Sequence, residues 1–209
     1  MYNKRTSRQL LVFLVILILC SSPIGGILAS DNVGESTDLT ADDIVALFPE
    51  AFKDGRINDN SFCPFSADKE IIHTYFRTID GIVYELNTYS NGTYDLLVEY
   101  PAQVIANNRA TTDYGQMFSY YYPIVDGIAQ MTAYARYTYN SSTGVNIITS
   151  CIGGGSDVVL YGWGVYSGVG EVWGNAVSEG YEFIGLNIDL TPKSGSRGLN
   201  KSTYTSDPY

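Results

Sequence analysis

Residues 71–100 read IIHTYFRTIDGIVYELNTYSNGTYDLLVEY, and this stretch decides the fold class. Three runs rich in Ile, Val, Tyr and Thr are separated by Asp80-Gly81 and Asn91-Gly92. Those residue types fit a pleated, half-buried surface, and the two dipeptides are typical of hairpin turns. The stretch therefore predicts an antiparallel meander of three strands.

The same pattern continues to about residue 190, with further turn signals at Asp126-Gly127, Ser142-Thr143-Gly144, Gly153-Gly154-Gly155 and Glu179-Gly180. This spacing predicts one all-β domain over residues 40–190, a mainly antiparallel sandwich or a jelly-roll-like fold. Residues 102–117 are the one long polar gap and are expected to form a loop. Residues 191–209 lack large aliphatic side chains apart from Leu199, and we expect a polar flexible tail there.

One short N-terminal amphipathic helix is expected before the strands. Thr40-Ala41-Asp42-Asp43 resembles a capping box, and Pro49 is expected to kink or split the helix before Gly55 ends it. Apolar residues follow the cap at helical spacing, at Ile44, Leu47, Phe48, Ala51 and Phe52. This stripe predicts a helix that packs on the sheet.

The first 30 residues have the order of a secretory signal peptide. Lys4, Arg5 and Arg8 precede an apolar run over residues 10–19, and Ala29-Ser30 offers small residues for cleavage. The run is shorter than the roughly 20 residues that cross a bilayer, although an uncleaved anchor is the alternative. We expect the signal peptide to be cleaved and residues 31–39 to form a linker. The mature protein is then expected to be secreted or at the cell surface, with no transmembrane span.

The exported part is strongly acidic and retains two cysteines. It carries nine basic residues against 22 acidic ones, a formal net charge of −13, which argues against nucleic-acid binding. In an oxidising compartment Cys63 and Cys151 have one possible connectivity and predict a disulfide; two buried free thiols are the alternative. Two cysteines and a single histidine do not complete a zinc site. We expect no cofactor, with calcium on the carboxylates of residues 54–59 left open.

A charged row is predicted on the non-core face of the meander. An odd-numbered loop at Asn91 brings the apolar faces of two strands together and puts Glu85 opposite Glu99, and the same reasoning puts Arg77 opposite Glu85. Two adjacent carboxylates can split their pKa values and act as acid and nucleophile in glycoside hydrolysis. We favour a solvated ion network without a catalytic role.

Two strings of four residues, Leu97-Val98-Glu99-Tyr100 and Ser178-Glu179-Gly180-Tyr181, are similar to segments of the xylanases of glycoside hydrolase family 11. Those enzymes are small secreted β-jelly-rolls rich in Tyr, Gly, Thr and Asn. The resemblance implies that Glu99 is a nucleophile and Glu179 a proton donor. The chain departs from the family's pattern because it has no counterpart of the thumb segment. In addition, the family has a string similar to Tyr161-Gly162-Trp163 before its nucleophile, whereas in this chain the string follows Glu99.

Residues 161–174, YGWGVYSGVGEVWG, alternate glycine with large side chains. In an uninterrupted strand, Tyr161, Trp163 and Trp173 would share one aromatic face opposite a smooth glycine face. This pattern predicts a binding platform for an extracellular glycan or protein, including a second copy of the chain. The alternative is a core strand pair whose glycines accommodate large rings from the facing sheet.

Three sequons begin at Asn91, Asn140 and Asn200, the first two at predicted turns, and mark candidate glycosylation sites. Taken together, these features favour a non-catalytic structural or binding module, carbohydrate-binding or self-associating. A secreted glycoside hydrolase with paired glutamates is the alternative, and a secreted toxin-like effector is a second one.

Overall fold

The computed structural model describes residues 38–53, 69–125 and 127–209. The predicted signal peptide lies outside these residues. The described residues contain two short helices and eleven strands, namely α1 (Ala41–Leu47), α2 (Pro49–Phe52), β1 (Ile71–Ile79), β2 (Ile82–Tyr89), β3 (Tyr94–Glu99), β4 (Gln103–Asn107), β5 (Thr111–Ile124), β6 (Gly127–Asn140), β7 (Val145–Ser156), β8 (Val158–Tyr166), β9 (Val169–Ser178), β10 (Tyr181–Pro192) and β11 (Leu199–Ser206). None of these helices is long and apolar enough to cross a membrane.

The strands form two antiparallel sheets, which confirms the predicted all-β class. The first sheet has the order β1-β2-β3-β5-β6-β7, with β4 also paired to β5, and the second has the order β11-β10-β9-β8. Each sheet is thus a meander and not the Greek-key arrangement of a jelly-roll. One buried apolar cluster joins β5, β6 and β7 of the first sheet to β9, β10 and β11 of the second, so the architecture is sandwich-like.

The helices pack on the outer face of the first sheet at β1 and β3. The capping box is confirmed, because the Thr40 hydroxyl accepts the Asp43 N–H at 3.2 Å while the Asp43 carboxylate accepts the Thr40 N–H at 2.9 Å. The helix ends at Leu47, and Pro49 opens α2. The Phe52 ring then packs edge-on against Tyr94, with ring centroids 5.3 Å apart. Leu86 and Leu96 share this face and are fully buried.

The prediction of a loop at residues 102–117 is wrong. This polar segment contains β4 and the start of β5. Strands β3 and β4 lie end to end along one side of β5. Pro101 interrupts the ladder between them because proline has no N–H to donate. All five side chains of β4 are exposed, so no buried face marks this strand in the sequence.

The expected flexible tail instead contains β11, which pairs with β10 from Pro192↔Leu199 to Gly185↔Ser206. Leu199 is its one core residue. The strand is held largely by backbone hydrogen bonds, which depend little on side-chain type. The prediction of a mobile tail is therefore wrong over these residues.

Candidate ligand-binding groove

Arg77 faces the helices and not the carboxylates. Asp80-Gly81 forms a two-residue turn, which places Arg77 opposite Tyr84 and one residue out of the predicted register with Glu85. One guanidinium nitrogen lies 2.9 and 3.0 Å from the two carboxylate oxygens of Glu50 on α2. A shift of one residue moves a strand side chain to the other face of its sheet, so the predicted position of Arg77 is wrong.

Glu85 and Glu99 share a face, as predicted, but they are offset by two residues, and the prediction that this face is a solvated, non-core one is wrong. That face looks toward the second sheet, and Lys201 on β11 reaches it. The ammonium of Lys201 lies 2.7 Å from the Glu99 carboxylate and 3.6 Å from that of Glu85. The side-chain amide of Gln116 donates to the other Glu99 oxygen at 3.0 Å. The group is an ion network that connects the two sheets.

Glu179 does not lie near Glu99. Glu179 begins the turn between β9 and β10, whereas Glu99 contacts Lys201, which pairs with Leu190 near the other end of β10. The intervening strand spans roughly 30 Å at about 3.3 Å per residue. Paired catalytic carboxyl groups lie within about 10 Å of each other. The two glutamates implied by the xylanase resemblance therefore do not form one site.

Asp95 is a buried carboxyl group that the sequence analysis did not single out. It accepts hydrogen bonds from the Tyr89 hydroxyl at 2.5 Å, the Tyr120 hydroxyl at 2.9 Å and the Asn87 amide at 3.1 Å. Burial raises the pKa of Asp95 above its ordinary value, although the donated hydrogen bonds act in the opposite direction. No spacing signal marks this residue, because its donors come from two other strands, β2 and β5.

The glycine-rich segment forms the β8–β9 hairpin, and its turn divides the tryptophans between two faces. Ser167-Gly168 is a two-residue turn, so Trp163 pairs with Val172 while Gly162 pairs with Trp173. Val172 belongs to the core between the sheets, which places Trp163 on the inner face and Trp173 on the outer face. The prediction of one aromatic face is therefore wrong for Trp163.

Tyr161 shares the outer face with Trp173 because β8 is irregular at this point. The register shifts between Leu160 and Gly162, which leaves Tyr161 as an extra residue. Its hydroxyl donates to Glu182 at 2.8 Å. The segment thus brings two of its three predicted platform residues to the same face.

Gly162 provides the space that the Trp173 ring occupies. A β-carbon built on Gly162 would lie 2.3 Å from the nearest carbon of the indole. Gly162 therefore accommodates an aromatic ring of its own hairpin on the outer face, and not a ring from the facing sheet as the alternative interpretation expects. The indole also lies beside the ring of Tyr166, at a centroid distance of 5.6 Å.

An open groove of about 160 Å³ lies beside Trp173 on the outer face of the second sheet. Two cross-strand rows form it. Trp173, Asn187 and Tyr204 lie directly opposite one another on β9, β10 and β11, and Glu171 lies opposite Asp189 in the next row. The lining is completed by Val172 and Tyr209.

Tyr209 is held against the sheet as one wall of the groove. Its N–H donates to the Asn175 side-chain oxygen at 3.1 Å, and its hydroxyl donates to the Asn187 side-chain oxygen. Its ring lies 6.0 Å from that of Tyr161. Gly185 permits this approach, because a β-carbon there would lie 2.8 Å from the Asp207 carbonyl oxygen.

The groove is electrically negative. Glu171 and Asp189 lie side by side, and neither forms a salt bridge with any described residue. Partial burial raises the pKa of Asp189 above its ordinary value. None of the described lining residues is basic. A ligand with hydrogen-bond donors or positive charge would match this surface.

Cys151 is buried in the core, where burial raises the pKa of its thiol form to about 12. Its predicted partner Cys63 lies outside the described residues, so the disulfide stays a prediction. Among the sequons, Asn91 is exposed in the β2–β3 turn, Asn140 ends β6 before its turn, and Asn200 is exposed on β11.

Within the described ranges, no group of three or more His, Cys, Asp or Glu side chains is arranged to hold a metal ion. Residues 54–59, where calcium was left open, lie outside those ranges. No protein-family model matches the chain, and no curated protein or solved structure matches it either. The groove is therefore the feature from which a function can be inferred.

Proposed function

We propose that this chain is an exported, non-catalytic binding module, secreted or held at the cell surface, which binds a glycan in the groove of its second sheet. The observation that carries the proposal is the row formed by Trp173, Asn187 and Tyr204. Sugar rings stack their C–H faces on aromatic rings, and their hydroxyls pair with amides and carboxylates. The row and the adjacent carboxylates offer both kinds of contact in one concave surface.

The exposure of the rings supports this assignment. Tyr204 on β11 is 46 % exposed, and Tyr209, which follows that strand, is 51 % exposed. The hydrogen bonds of Tyr209 to Asn175 and Asn187 hold its ring in one position before any ligand arrives. A rigid aromatic surface loses little conformational entropy on binding, which favours affinity.

Replacing Trp173 with alanine is expected to weaken glycan binding about tenfold or more, because it removes the central ring of the groove. The loss of affinity would be measured by retardation of the protein in native gels that contain soluble xylan, β-glucan, mannan or chitosan. Trp163→Ala is the matched control, since it removes the same side chain from the inner face of the same hairpin. Equal losses in the two variants, with both proteins folded by circular dichroism, would contradict the groove assignment.

A glycoside hydrolase is the second candidate, favoured by the Glu171–Asp189 pair and the raised pKa of Asp189. The geometry argues against it, because a hydrolytic pair flanks the scissile bond from two sides. These two carboxylates project from one face in one row. We expect no release of reducing sugars from the same polysaccharides. Turnover that Asp189→Asn abolishes would replace the binding proposal with this one.

A further inference from the structure

The two groove carboxylates differ from the other close carboxylates of the described chain. Glu85 and Glu99 share the ammonium of Lys201, and Glu50 is paired with Arg77. Glu171 and Asp189 lie directly opposite each other on adjacent strands, and no described residue forms a salt bridge with either of them. Like charges directly opposite each other on a sheet destabilise it. A cation from outside the chain would relieve that repulsion.

The rings around the pair favour the same kind of ligand. The faces of Trp and Tyr rings carry negative charge density and attract ammonium groups that approach within about 6 Å of the ring centre. Trp173, Tyr204 and Tyr209 line the groove together with the two carboxylates. A neutral sugar placed there would desolvate both carboxylates without compensating their charge, and that is costly.

We infer that the glycan bound in this groove carries protonated amines, as a chain of deacetylated amino sugars does. The inference rests on the proposed function and names its ligand class. An ammonium group lies between Glu171 and Asp189, and the adjacent sugar face stacks on Trp173. An acetylated amine carries no charge, so the same sugar in its N-acetyl form lacks the interaction that the carboxylates require.

Calorimetric titration with two probes tests the inference, namely the hexamer of glucosamine and the hexamer of N-acetylglucosamine, at a mildly acidic pH that keeps the amines charged. The glucosamine hexamer is expected to bind about tenfold more tightly or better. Glu171→Gln with Asp189→Asn is expected to abolish this preference. Glu70→Gln with Glu179→Gln removes the same net charge from exposed positions outside the groove and is expected to leave the preference intact.

Equal affinity for the two hexamers would overturn the inference while leaving glycan binding in place. Loss of the preference in both double variants would also overturn it, because the attraction would then come from net charge alone. An oligolysine peptide of equal charge that bound as tightly as the glucosamine hexamer would show that a sugar is not required. Failure of every polysaccharide to bind would overturn the proposed function together with the inference.

Discussion

Replacing Asp95 with alanine is expected to lower the free energy of unfolding by about 3–5 kcal/mol. The change would leave the hydroxyls of Tyr89 and Tyr120 and the amide of Asn87 without their shared acceptor in a buried site. Urea denaturation measures the loss. Asp95→Asn, which keeps the shape and one acceptor oxygen, is expected to cost less than half as much. A loss below about 1 kcal/mol for the alanine variant would contradict this account.

The same residue predicts a dependence of stability on pH. Its pKa in the folded protein is raised above the ordinary value of 3.8, so the folded state retains the proton over an interval in which the unfolded chain has released it. The stabilisation linked to this proton is complete below 3.8 and is lost as the pH rises through the folded value. Unfolding curves at several pH values would show this slope in the wild type. Asp95→Asn removes the titrating group and is expected to flatten the curve.

Gly155→Ala is expected to destabilise the protein by about 3 kcal/mol or more. Gly155 lies near the end of β7, where the chain leaves the first sheet, and it has a φ of +148°. A β-carbon there would lie 2.0 Å from the backbone carbonyl oxygen of Gln130, which cannot move without breaking the β6–β7 pairing. Thermal or urea unfolding measures the effect.

Gly168→Ala separates backbone strain from steric collision. Gly168 also has a positive φ, of +84°, but a β-carbon there would meet no atom within 4 Å. We expect this variant to cost about 1 kcal/mol. If the two alanine variants lost the same stability, the contact with Gln130 would not be the cause.

Features that depend on neighbouring residues were predicted correctly. The capping box at Thr40 and Asp43 involves residues three positions apart, and the turn at Asp80-Gly81 needs a local backbone with positive φ. The all-β class follows from composition and turn spacing in the same local way. These features need no knowledge of where the rest of the chain lies.

Side-chain faces were less predictable, because one residue of register inverts them. The apolar face of the meander is buried, but the helices and not the second sheet cover it. Asp80-Gly81 and Ser167-Gly168 both form two-residue turns. Arg77 and Trp163 therefore lie on the faces opposite those predicted. A two-residue turn and an odd-numbered loop differ by a single position. The apolar residues of β1 and β8 do not distinguish them, because neither strand has a fully buried face that would fix the register.

The sequence by itself determined an antiparallel β-protein with a capped helix before it, since propensity, turn chemistry and capping act within a few residues. Only the tertiary structure decided the groove and the ion network. Glu99 meets Lys201 across 102 positions of sequence. The groove needs Trp173, Asn187 and Tyr204 from three strands in one register. Strand β11 supplies members of both sites, and backbone pairing places it there while its side chains carry almost no apolar pattern.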